Sequence, residues 1–262
     1  MFKILFLGDV VGKVGRKALK EHLASIKARY SPDLTIINGE NSAGGIGIEP
    51  GTAGEIFSAG ADVITTGNHV WGKREVYPYL EANARKIIRP YNFAAGAPGK
   101  GVTFWEHSSG TRVAIVNLIG RVFMPDLVEC PFRAFDAIER DELADCKLIF
   151  VDFHAEATSE KVALGYYLDG RATVVVGTHT HVQTADERIL PKGTAYISDV
   201  GMCGPAESVI GVDVDLVLEK FLSGRPVRFD VAAGAPILCG VVICCDELTG
   251  RALSIERILM RP

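Results

Sequence analysis

The chain has 262 residues, 48% of them hydrophobic and 23% charged, and a formal net charge of −4. That balance fits a single globular domain over residues 1–262 with a sizeable buried core, and it excludes extended disorder. A negative chain has no strong nucleic-acid footprint, and the apolar runs Leu148–Phe153, Val174–Val176 and Ile237–Cys245 fall well short of the roughly 20 residues of a membrane helix.

The N-terminal run Lys3–Leu7 leads straight into Gly8-Asp9 with no basic region or small-residue cleavage site, so it reads as a first strand and not as a leader. A helix is expected over Arg16–Arg29, a strand over Leu34–Asn38, a helix over Gly51–Ala59 and a strand over Val63–Thr66. Around Ser108-Ser109-Gly110, the β-rich runs Thr103–His107 and Arg112–Asn117 read as a hairpin, where the sheet turns antiparallel. Next come a helix over Phe132–Cys146, a strand over Leu148–Phe153, a helix over Glu160–Leu168 and a strand over Ala172–Gly177. From Arg188 onward strands dominate, with a turn at Pro191-Lys192-Gly193 and a helix over Asp213–Leu222. The alternation of strand and helix indicates a layered α/β domain. Cysteines at 130, 146, 203, 239, 244 and 245 show neither a C-x-x-C pair nor a regular spacing. Most read as buried small hydrophobes, in a reducing, cytoplasmic protein.

The polar residues carry the chemistry. Asp9, Glu40-Asn41, Asn68-His69, His154 and His179-x-His181 each follow directly on an apolar run. In open α/β sheets the carboxyl ends of strands form the ligand crevice, so these five loops are expected to meet at one pocket. Taken singly, each has an ordinary reading. A Gly-Asp, Gly-Glu-Asn or Gly-Asn-His step is common turn chemistry, a lone histidine is usually a hydrogen-bonded core residue, and two histidines two apart can simply be solvated. On a strand, His179 and His181 would share one face, which is a ligand geometry. Taken together in this order, carboxylate, amide and imidazole donors form a set that suits first-row metals better than calcium or magnesium. Asp9, Glu40, Asn41, Asn68, His154, His179 and His181 exceed the four or so ligands of one catalytic zinc, so two ions about 3.5–4 Å apart are expected, with Glu40 able to bridge. His69, an imidazole next to a proposed ligand, is suited to protonate a leaving oxygen.

These motifs carry a family resemblance. Gly8-Asp9-Val10-Val11, Gly39-Glu40-Asn41, Gly67-Asn68-His69, His154 and Gly177-Thr178-His179-Thr180-His181 resemble, in order and spacing, the motifs of calcineurin-like metallophosphoesterases. Gly39–Gly45, Asp152–Lys161 and Gly177–Val182 are similar, more narrowly, to the bacterial YmdB-type branch of 2′,3′-cyclic-nucleotide phosphodiesterases, and the likeness spans essentially the whole chain. It implies a four-layer α/β/β/α sandwich with two mixed sheets flanked by helices. It also implies two divalent or trivalent metal ions, iron first, with manganese or zinc as alternatives. One ion would be held by Asp9, Glu40, Asn41 and His181, the other by Glu40, Asn68, His154 and His179, with His69 the proton donor. In the wider superfamily the first motif usually reads D-x-H, where this chain has Val11, and the second usually supplies Asp where this chain has Glu40. The lost imidazole, with Asn41 as an oxygen donor in its place, makes a harder site that favours iron or manganese over zinc.

The implied reaction is hydrolysis of 2′,3′-cyclic nucleotides to nucleoside monophosphates by a metal-bridging hydroxide. Other readings stay open: a regulatory metalloprotein that binds a nucleotide or protein with incidental turnover, or a phosphomonoesterase or nuclease on the same scaffold. Oligomeric state is open too, a homo-oligomer included. Gly8–Val14 fails as a phosphate-binding loop, since three residues, not four, separate its glycines and Val14 follows Lys13. Asp152 and Glu156 either orient His154 or form salt links, Arg121 and Arg133 read as surface charge, and Arg89–Arg140 is expected to wall the site.

Overall fold

Alternation of apolar side chains along the strands dictates the layering, because successive residues of a strand face opposite sides of its sheet. A computed structural model describes residues 1–261. In chain order the elements are β1 (Phe2–Leu7), β2 (Asp9–Val10), α1 (Gly12–Tyr30), β3 (Leu34–Asn38), α2 (Pro50–Ala59), β4 (Val63–Thr65), a 3-10 turn at Asn68–Gly72 and α3 (Val76–Ala82). The chain continues through β5 (Val102–Glu106), β6 (Arg112–Ile119), α4 (Pro131–Asp141), β7 (Leu148–His154), α5 (Thr158–Tyr167) and β8 (Val174–Thr178). Then follow β9 (Arg188–Ile189), β10 (Ala195–Ile197), β11 (Met202–Pro205), α6 (Val214–Ser223), β12 (Pro236–Cys245) and β13 (Ala252–Met260).

Two mixed sheets result. One runs β2-β11-β12-β1-β3-β4 with β13 on β12, the other β5-β6-β7-β8-β10-β9. Phe2, Ile4, Phe6, Leu34, Ile36 and Ile243 of the first sheet pack against Val113, Ile115, Phe150, Val174 and Val176 of the second. The alternate residues Leu5, Leu7, Ile37 and Ile64 face away and are covered by Leu19 and Leu23 of α1, Ile56 of α2 and Leu80 of α3. On the far side, Ala114, Val116, Val151 and Phe153 meet Phe135 and Ile138 of α4 and Leu164 of α5. The layers are therefore α/β/β/α, as the resemblance implies. Each fully buried Ile, Leu or Phe contributes about 1.5–3 kcal/mol by leaving water.

The expected hairpin forms, with Thr103 opposite Ile115. Helix α4 stops at Asp141, five residues before the expected end, and α3 is an element that periodicity does not reveal. Among the described residues no helix is long and apolar enough to cross a membrane.

The topology brings the site together. β1, β3 and β4 run parallel in one sheet, and β6, β7, β8 and β10 run parallel in the other. Their carboxyl ends therefore open on the same edge of the sandwich, so that loops far apart in sequence share one crevice.

Candidate metal centre

Each candidate ligand sits where a strand gives out. Asp9 follows β1 and pairs through β2 with Met202 of β11, Glu40 and Asn41 follow β3, and Asn68 opens the 3-10 turn after β4. His154 is the last residue of β7. His179 and His181 lie beyond β8, which ends at Thr178, and both have left-handed backbone, with φ of 102° and 65°. The strand alternation expected for this pair is thus not what aligns them. The loop turns at each histidine, and Asp199 Oδ2 fixes the turn by accepting from the Thr180 amide at 3.0 Å and the Thr180 hydroxyl at 2.7 Å.

The seven side chains meet. Glu40 Oε2, Asn68 Oδ1 and His179 Nδ1 lie 2.9, 3.0 and 3.0 Å from His154 Nε2. An imidazole nitrogen carries at most one proton, so it cannot satisfy three such neighbours. Across the cluster, Asn41 Nδ2 and His181 Nε2 are 3.1 Å apart, and the His179 amide donates to Asp9 Oδ2 at 3.2 Å. Asp9, Glu40 and His154 are fully buried and offer ligand atoms that all lie within 4.8 Å of one another. Asp9 Oδ1 is buried with no hydrogen-bond partner, and Glu40 Oε2 has only the crowded His154 Nε2 beside it. Gly67 is essential to this closeness, since any Cβ there would fall on Glu40 Oε2 and the His154 ring.

The outer nitrogens of the three imidazoles are all anchored. His154 Nδ1 donates to Thr178 Oγ1 at 2.9 Å, and that hydroxyl donates onward to Asp152 Oδ1 at 2.8 Å. His179 Nε2 lies 3.0 Å from Glu156 Oε2, and His181 Nδ1 donates to the Ile210 carbonyl at 2.7 Å. Anchoring the outer N–H fixes the tautomer and turns the inner lone pair toward the cluster, an arrangement typical of metal-ligating histidines. Asp152 and Glu156 thus divide the work. Asp152 orients His154 through Thr178, whereas Glu156 serves His179.

Electrostatics agree with a place prepared for a cation. Burial pushes the Asp9 carboxyl up. Burial acts the same way on Glu40, but His154 and His69 beside it win and hold its carboxyl well below the usual range. On His154 burial opposes the proton, yet Glu40, then Asp9 and Asp152, override it and raise the pKa to about 9. Burial and the neighbouring His154 charge drive His179 down to about 3, and burial lifts Asp152 to about 7. Two buried carboxylates need compensating charge. The donor set, the unpartnered Asp9 oxygen and the three groups crowded on His154 Nε2 together fit a metal ion.

His69 stands at the mouth, its side chain 39% exposed, with Nδ1 2.8 Å from Asn41 Oδ1 and 3.0 Å from Glu40 Oε1. Its backbone amide donates to Glu40 Oε1 at 2.9 Å, so the candidate proton donor is tied to the candidate bridge through both main chain and side chain.

A cavity of about 400 Å³ opens beside His69, His179 and His181, and its far wall is formed by Ile210–Val212 and Phe229–Val231. These segments lie outside the stretch expected to wall the site. From that stretch, Asp126 approaches: burial, then the Glu40 charge, raises its carboxyl, and its Oδ2 is unpartnered. Arg121 and Arg133 line a separate cavity of about 710 Å³ beside Arg89 and Tyr91.

Comparison with known proteins gives a consistent picture. The family model described as YmdB-like protein matches residues 5–258. A 2′,3′-cyclic-nucleotide 2′-phosphodiesterase of Bacillus subtilis (strain 168) is 50% identical over 258 residues, covering 98% of this chain and 97% of that protein. A hypothetical protein from Thermus thermophilus superposes with a TM-score of 0.92 at 42% identity, covering 99% of each chain. A novel phosphatase from Mycoplasma pneumoniae superposes with a TM-score of 0.93 at 39% identity, covering 99% of this chain and 93% of that one.

Proposed function

The chain belongs to the YmdB-like protein family, and from that membership we propose a metal-dependent phosphodiesterase that hydrolyses 2′,3′-cyclic nucleotides to nucleoside monophosphates. The observation that carries the reading is the buried trio Asp9, Glu40 and His154, whose ligand atoms lie within 4.8 Å of one another, with Asn68 Oδ1 and His179 Nδ1 each 3.0 Å from His154 Nε2 and Asp9 Oδ1 unpartnered. The substrate class comes from the name of the Bacillus subtilis relative. Asp9, Glu40, Asn41 and His181 would hold one ion, and Glu40, Asn68, His154 and His179 the other, with iron ahead of manganese or zinc. In this structure Asn41 Oδ1 faces His69, so its ligand role requires a half-turn of the amide that brings the oxygen to His181. When bound, such a pair supplies positive charge to the phosphoryl oxygens and lowers the pKa of attacking water.

The chain supplies the rest. Asn41 and Glu40 hold His69 by Nδ1, which leaves Nε2 to deliver a proton to the ribose oxygen as its bond to phosphorus breaks. Scission at the 2′ oxygen, the position in the relative's name, would leave the 3′-monophosphate. A single domain working in the cytoplasm is part of the same proposal, and six free cysteines support it. The test is purified protein loaded with iron or manganese and offered 2′,3′-cyclic AMP beside a generic diester. Turnover of the cyclic nucleotide is expected. Metal-loaded protein that spares it while cleaving the generic diester would overturn the substrate assignment.

A further inference from the structure

The cavity wall opposite the histidines is apolar, and nothing in the phosphodiester chemistry requires that. Ile46, Ile210, Val212, Phe229 and Val231 face the same space as His69 and His181. Ile210 and Phe229 are 50% and 40% exposed, a costly display of large apolar surface at the rim of a polar centre. The Phe229 ring has the Lys220 ammonium 4.7 Å from its centroid.

Two features show that the wall is built in register with the centre. The first is Ile210, a β-branched residue held at φ 49°, whose carbonyl accepts from His181 Nδ1. Left-handed backbone at a β-branched residue is strained, and such strain persists only where the surroundings enforce it. The second is Val231, which packs into room left by two glycines of the metal-bearing loops. A Cβ at Gly45 would lie 2.6 Å from Val231 Cγ2, and one at Gly12 would lie 3.0 Å from Val231 Cγ1. Both glycine amides donate to the Asn41 carbonyl. A bridge between Val212 and Val231, with the Ala232 amide donating to the Gly211 carbonyl at 3.0 Å, joins the two wall segments.

We propose that this wall is the nucleobase subsite and that Phe229 is its stacking residue, a specificity determinant for the reaction. The inference rests on the phosphodiesterase reading above and adds to it that the base, and not only the cyclic phosphate, is recognised. A flat π-face against an aromatic ring contributes binding without hydrogen-bond readout, so it serves every base while rejecting a substrate that has none. A phenyl ring offers no donor, acceptor or charge to the reacting atoms, so its contribution belongs in KM and not in kcat.

The experiment compares the unaltered, metal-loaded chain with Phe229→Ala and Phe229→Trp on two compounds: 2′,3′-cyclic AMP and the 2′,3′-cyclic phosphate of 1-O-methylribose, which lacks a base. Phe229→Ala is expected to raise KM for the nucleotide about tenfold at unchanged kcat, to leave the base-free compound unaffected, and to be rescued by Phe229→Trp. An equal loss on both compounds would mean a merely structural role, and no change on either would mean no contact; each overturns the proposal. Equal kcat/KM for the two compounds in the unaltered chain would also overturn it, while leaving the phosphodiesterase reading intact. Failure to turn over either compound would instead bring down that reading and this inference with it.

Discussion

Two buried charged groups lie close together in this molecule and differ in one respect. Lys161 and Asp199 form an ion pair at 2.7 Å with side chains only 3% and 1% exposed. Asp199 also accepts from the Thr180 amide, the Thr180 hydroxyl and the Gly201 amide. Its charge and its lone pairs are all answered from within the chain. Asp9 and Glu40 are as deeply buried, yet Asp9 Oδ1 has no partner and Glu40 Oε2 shares His154 Nε2 with Asn68 and His179, while the outer nitrogens of the histidines are anchored away from the cluster. The closed group is answered in full by the chain, while the open one leaves Asp9 Oδ1 unanswered, where a cation would fit. The closed group also shapes the open one, because the bonds from Thr180 to Asp199 hold the left-handed turns at His179 and His181.

The contrast is broken most severely at Glu40. Glu40→Gln is expected to empty the centre and abolish turnover of 2′,3′-cyclic AMP, and to lower the melting temperature of the metal-free protein, since the buried His154 loses the charge that answers it. Metal content, turnover and thermal unfolding read the three parts separately. His69→Ala sharpens the contrast differently: metals stay, and kcat falls by about 10²- to 10⁴-fold, as for loss of a general acid. In the closed group, Lys161→Met strands a buried carboxylate and is expected to cost about 3–5 kcal/mol in urea unfolding of the metal-free chain. A Lys161→Met protein as stable as the parent would remove the distinction between the two groups. The smallest effect is expected at Asp152→Asn, which weakens the anchor behind His154 and lowers metal affinity by about 10- to 100-fold with the fold retained.

Much of the centre was legible before any coordinates, because a polar residue at the end of an apolar run has few structural reasons to be there. Asp9, Glu40, Asn41, Asn68, His154, His179 and His181 all meet where the strand ends converge. The layers were carried by the resemblance, and the alternation along β1 and β6 explains them. What escaped has physical causes. The anchor of His181 is a main-chain carbonyl, which leaves no trace in residue type. The pair His179 and His181 shares a target through two left-handed turns, where alternation assumes extended backbone. Helix α4 looked longer because Leu143 and Cys146 remain apolar and buried after the helix has ended. Helix α3 was hidden by Pro78, which sits in its first turn, where a missing N–H costs nothing. The wall at Ile210–Val212 and Phe229–Val231 comes from loops with no periodicity to betray them.

The most direct test of a centre completed from outside is elemental analysis of the chain purified without added metal, with turnover of 2′,3′-cyclic AMP followed through chelation and reloading. The expected result is about two metal ions per chain, iron foremost, with activity lost on chelation and restored on reloading. Protein that is free of metal and still turns the nucleotide over at the full rate would contradict it.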